Sequence, residues 1–217
     1  MRTITGVLAA AALAAALSSP AYAQGVEVGV RAGMNFAKIG GDDAAISEVE
    51  PSNRTGLSIG GFARFGLAPS FSIQPELLYS QKGTEYEDEG ATFGFDVSYV
   101  DVPVLAVYSP PLSGASPIRP ALMAGPVVSF RAGCEVTGEL DGISFATDCD
   151  ESEQELKSTD IGLMFGAGAG MGVGPGTLHL DARYGLGLTS VDDSEESLDM
   201  KNRLISLSVG YSMRLGM

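Results

Sequence analysis

The chain has no tryptophan, a single histidine (His179) and only two cysteines, Cys134 and Cys149. One histidine and two cysteines without CxxC spacing leave too few donors for a zinc centre. Cations are scarce: 13 Lys and Arg stand against 27 Asp and Glu, a formal net charge of −14. A chain this acidic repels phosphate backbones, which argues against nucleic acid as a partner. Beyond the N-terminal segment, no apolar stretch approaches the roughly 20 residues that a membrane-spanning helix needs.

That N-terminal segment has its own logic. Arg2 precedes an apolar run from Val7 to Leu17, which ends in Ala21-Tyr22-Ala23 before Gln24. A positive start, a short apolar stretch and an A-x-A site are the pattern of a secretory signal peptide. Residues 1–23 are therefore read as a removable leader and residues 24–217 as one domain. Gln24 stands where a lipoprotein would carry cysteine, so no lipid anchor is expected. Export places Cys134 and Cys149 in an oxidising compartment and predicts a disulfide between them. Closing a loop of about 16 residues is worth roughly 3 kcal/mol in the chain-entropy model.

What the chain has in abundance is alternation. Val26, Val28, Val30, Ala32, Met34 and Phe36 occupy every second position, with Glu27, Arg31 and Asn35 between them. A period of two is the mark of a strand with unlike faces. The pattern recurs seven more times, beginning near Leu57, Phe71, Val100, Ile118, Ile161, Leu178 and Ile205. It is weakest around Val100, where Leu105 and Val107 fall on the face that is polar elsewhere.

The sixth repeat carries glycine at every second position from Gly166 to Gly176. A phosphate-cradling loop would be followed by a helix, and here another strand pattern follows instead. Glycine along one face of a strand marks a narrow or sharply bent place, such as the interior of a small closed barrel.

The connections alternate in length. Residues 66–70, 109–117 and 174–176 are short; residues 40–53, 83–96, 132–157 and 190–201 are long. The long ones hold 22 of the 27 carboxylates, which puts nearly all the acid on one rim. Short turns on one rim, long loops on the other and strands long enough to cross a bilayer are the layout of an outer-membrane barrel. The predicted fold is thus all-β: an eight-stranded antiparallel up-and-down transmembrane barrel with both termini periplasmic. A soluble lipocalin-like barrel would show the same alternation with the apolar face turned inward. The glycines on the polar face and the regular loop asymmetry weigh against it.

The other five carboxylates, Glu27, Glu76, Asp101, Asp160 and Asp181, fall on the polar face, and so do Arg31, Arg64, Lys82, Arg119, Arg131, Arg183 and Arg214. Inside a narrow barrel they are expected to pair, because a lone buried charge is costly.

Several stretches carry a family resemblance. "RAGMNFAKI", "RTGLSIGGFARFGL", "FSIQPELLYSQKG", "YVDVPVLAVY", "PALMAGPVVSF", "DIGLMFGAGAGMGV", "DARYGLGLTSV" and "NRLISLSVGYSMRL" occur in that order over nearly the whole domain. Together they resemble the PorT-like outer-membrane β-barrel family, with "QPELLYSQKG" and "VPVLAVY" the most specific pieces. The resemblance implies a barrel in a Gram-negative outer membrane, inserted by the outer-membrane assembly machinery among lipid and lipopolysaccharide. The founding member's name implies assistance to protein secretion as one role. The C-terminal strand departs from the family's aromatic ending, with Met213 and Leu215 before Gly216 and Met217.

These residues raise three kinds of chemistry. His179 and Asp181 share a face and, with Ser206 or Ser208, suggest a hydrolase; the G-x-S-x-G elbow is absent, and no enzyme is expected. Asp148, Asp150, Glu151 and Glu153 offer oxygen ligands to calcium but lack the spacing of an EF-hand loop. A wide channel does not fit, because eight strands enclose a space that side chains fill. The reading is a structural or interaction protein without cofactor.

Overall fold

The computed structural model describes residues 25–40, 52–88, 91–111, 116–140, 143–149, 158–189 and 201–215. The segment read as a signal peptide lies outside them, as do Asp150, Glu151, Glu153 and most of the first and fourth long connections.

The described residues form nine antiparallel strands: β1 (Val26–Gly40), β2 (Ser52–Ala68), β3 (Phe71–Asp88), β4 (Ala91–Tyr108), β5 (Ile118–Leu140), β6 (Ile143–Asp148), β7 (Thr159–Val173), β8 (Gly176–Gly187) and β9 (Lys201–Leu215). Sequence neighbours pair, β1 pairs β9, and β4 pairs β5, so the sheet closes on itself. Each of the eight alternating repeats becomes a strand of this closed ring. β6 is the ninth, hung on the far end of β5 outside it.

This corrects the strand count and the length of two connections. β3 and β4 pair as far as Asp88 and Ala91, and β5 runs on to Leu140 before folding back as β6. The alternation there is weak because these ends need not present an apolar face to lipid, so the sequence reads as loop.

The orientation of the faces is unambiguous. Val30 is 67 % exposed and its neighbour Arg31 is 4 % exposed. Met34, Leu57, Ile59, Leu77, Leu180, Ile205, Leu207 and Val209 also point outward, while Glu76, Asp101, Asp181 and Arg183 are buried. An apolar exterior over a polar interior is what a bilayer demands and the reverse of a lipocalin-like barrel. Phe71 and Tyr108 stack 4.9 Å apart beside the short turns, where aromatic rings suit a membrane interface.

The register also sets the tilt. One row of partners runs from Arg119 through Gly170, His179, Gly210, Arg31, Gly60, Leu78 and Asp101, and returns to β5 at Ser129. It arrives ten residues further along the strand (129 − 119). With a rise near 3.3 Å and strands near 4.8 Å apart, that stagger inclines the strands by about 40°.

Candidate functional site

The lumen is built on a simple rule visible in that row: large side chains alternate with glycine. Arg31 stands between Gly60 and Gly210, and His179 between Gly170 and Gly210. Gly166 faces Arg183 and Gly168 faces Asp181 across the β7–β8 pair. Small residues opposite large ones let a narrow barrel hold long polar chains. The glycine-rich face of β7 is thus the space into which the charges of β8 fold.

Those charges close a ring. Arg31 Nη2 donates to Asp181 Oδ2 at 2.7 Å, and its Nη1 lies 3.3 Å from Glu76 Oε1. Arg183 Nη1 and Nη2 donate to Glu76 at 2.8 and 3.0 Å, and Nη2 lies 3.5 Å from Asp181 Oδ2. Two cations and two anions from β1, β3 and β8, all buried, thereby tie three sides of the wall across the lumen. Gln74 donates to Glu76 and accepts from Arg64 Nε at 2.7 Å, extending the network toward the short turns.

Below the ring, His179 Nε2 lies 2.8 Å from Ser212 Oγ. Ser212 donates to Glu27 Oε2 at 3.4 Å, and Arg214 Nε donates to Glu27 Oε1 at 3.2 Å. With its hydroxyl proton directed at Glu27, Ser212 accepts from His179, so Nε2 is the donor of that pair. The Phe62 ring meets the imidazole edge-on, 5.7 Å between centroids.

The proposed triad does not assemble. His179 is held by Ser212 rather than Ser206 or Ser208, and Asp181 is engaged by two arginines. Alternation places these residues on one face but cannot show which meets which. His179 reaches Ser212 diagonally, past its direct partner Gly210, and that depends on register.

Above the ring, Lys82 Nζ donates to Asp101 at 2.8 Å and Ser129 at 3.1 Å and lies over the Tyr99 ring, 4.6 Å from its centroid. Asp160 accepts from Thr189 at 2.5 Å and from Asn202 at 2.9 Å. Asn35 donates to Ser80. Facing this polar column is an apolar cluster of Leu105, Val107, Ala121, Met123 and Met164. The interior is therefore not uniformly polar: the weak alternation of β4 marks the wall on which this cluster is built.

Not every predicted interior charge is deep. Arg119 and Arg214 are exposed at the short-turn mouth, and Arg131 is half-buried on β5. Cys134 and Cys149 form a disulfide, Cα atoms 5.4 Å apart, packed with Val97, Tyr99 and Val136 at the base of the β5–β6 hairpin. Of the calcium candidates only Asp148 is described. It stands opposite Glu135, which in turn faces Asp96, a row of three carboxylates across β4, β5 and β6. Asp96 is bonded by Arg54, a pair the alternation gave no reason to expect. No group of three or more potential metal ligands comes together among the described residues.

An inside-out closed sheet with a charge-filled lumen is a membrane barrel, and the comparison with known families agrees. The model of the outer membrane protein beta-barrel domain matches residues 19–193. The chain belongs to that family. OprG of Pseudomonas aeruginosa is similar in fold at 11 % identity and a TM-score of 0.51, covering 88 % of this chain and 97 % of its own. Neisserial surface protein A matches at 17 % identity and 0.46, over 84 % of this chain and 95 % of that one. Ail of Yersinia pestis matches at 16 % and 0.43, over 88 % and 100 %. No curated protein matches the chain. Family and fold place the protein in the outer membrane.

Proposed function

We propose that the protein is an integral outer-membrane barrel with a structural or interaction role and a closed lumen. Its spanning wall is the eight strands β1–β5 and β7–β9, with the short turns and both termini at the periplasmic rim. The long, acidic connections then face outward, among lipopolysaccharide and extracellular partners. The carrying observation is the buried ring of Arg31, Glu76, Arg183 and Asp181, which crosses the lumen from β3 to β8. A closed lumen leaves the rims as the working surfaces.

The test is conductance of the purified barrel in a planar bilayer. The expected record is flat, and a steady open current would overturn the reading. A deletion strain separates the secretory role implied by the PorT-like resemblance: under the present reading, export of other proteins is unchanged.

A further inference from the structure

In a chain of net charge −14, the short-turn half of the lumen is cationic. Arg31, Arg64, Arg119, Arg183 and Arg214 stand there against Glu27, Glu76 and Asp181. The three carboxylates are already engaged: Asp181 and Glu76 by Arg31 and Arg183, and Glu27 by Arg214. Two guanidinium groups are left over. Among the described residues Arg64 bonds the neutral amide oxygen of Gln74 and no carboxylate. Arg119 bonds nothing among the described residues and is exposed at the mouth.

Both arginines line one cavity of about 160 Å³, with His179 in its wall and the 69–70 turn at its edge. That is room for on the order of five waters at about 30 Å³ each. A guanidinium presents parallel N–H donors that match the paired oxygens of carboxylate or phosphate.

We infer that the short-turn mouth is a binding site for a small oxyanion, a carboxylate or phosphate on a short stem, held by Arg64 and Arg119. The excess of arginine over available carboxylate is the signature, and the cavity sets the size. Glu27 and Asp181 line the same cavity, and their charge limits the site to a small anion seated on the two arginines.

The test is an NMR titration of the full barrel, purified from outer membranes in detergent, following the Gly170 amide and the His179 ring. Sodium acetate, sodium phosphate and sodium chloride are added at matched ionic strength. Saturable shifts with acetate or phosphate but not chloride are expected, and whichever of the two binds tighter names the ligand class. Arg119→Gln should weaken that binding about tenfold, as should Arg64→Gln. Arg119 is exposed and makes no bond among the described residues, so its variant is expected to fold and decides the matter even if the Arg64 variant does not. Equal, unsaturating shifts in all three salts, or an Arg119→Gln barrel that titrates like the parent, would overturn the site and leave the closed-barrel reading untouched.

Discussion

Gly168 on β7 faces Asp181 on β8, and a Cβ built on Gly168 would lie 2.0 Å from the Asp181 Oδ1 atom. The glycine is there because the aspartate occupies its side-chain space, and the aspartate must stay because Arg31 and Arg183 depend on it.

Substitution at Gly168 therefore breaks a charge network as well as a strand. Gly168→Ala should cost about 1–3 kcal/mol as an overpacked core does, and Gly168→Leu should block closure altogether. Gly172, where a Cβ meets nothing within 4 Å, should accept alanine freely. The fraction migrating fast in unheated gels, against a boiled control, measures closure in each variant; equal fractions would show that this face is roomy.

Glu76 is the hinge of the charge ring, since both Arg31 and Arg183 reach it. Glu76→Ala leaves two buried guanidinium groups short of an anion and should lower stability by about 3–5 kcal/mol. Urea midpoints of the barrel refolded into vesicles would register the loss. A midpoint shift no larger than that of a surface variant such as Glu135→Ala would mean that water replaces the carboxylate.

The outward face is tested by charge. Val209 is half-exposed on β9, flanked in register by Ala32 and Leu180. Val209→Arg should cost roughly 2–4 kcal/mol if this level meets hydrocarbon near the midplane, and Val209→Leu should cost almost nothing. Vesicle refolding free energies for the two variants give the comparison, and a tolerated arginine would move the position to the interface.

Removing the disulfide should loosen one hairpin and spare the barrel. Cys149 is fully buried beside Tyr99 and Val97, at the point where β6 leaves the ring. Cys134→Ser with Cys149→Ser gives up about 3 kcal/mol of loop restraint, and the opening is local to β5–β6. Protease added to intact cells should cut the variant within this hairpin much faster than the parent, while the unheated gel band stays in place. Loss of that band would show that the bridge also guides closure.

Alternation alone determined much here. Lipid on one side and packed polar groups on the other force a period of two, so strand positions, the outward face and the inward charges of β1, β3 and β8 were legible residue by residue. The crowding of acid into the long connections was equally plain. Partnership was not, because it depends on stagger: only the ten-residue offset around the ring brings Arg31 between two glycines and sets His179 against Ser212 instead of Ser206 or Ser208. The same stagger brings Met123 and Met164 against Leu105 and Val107, two apolar residues that alternation had already set on the otherwise polar face. The extension of β5 into β6 was hidden for a related reason: beyond the membrane no solvent imposes alternation, and the hairpin is held by strand pairing and the Cys134–Cys149 bridge. Face is a property of single residues in their solvent; partners are a property of the closed sheet.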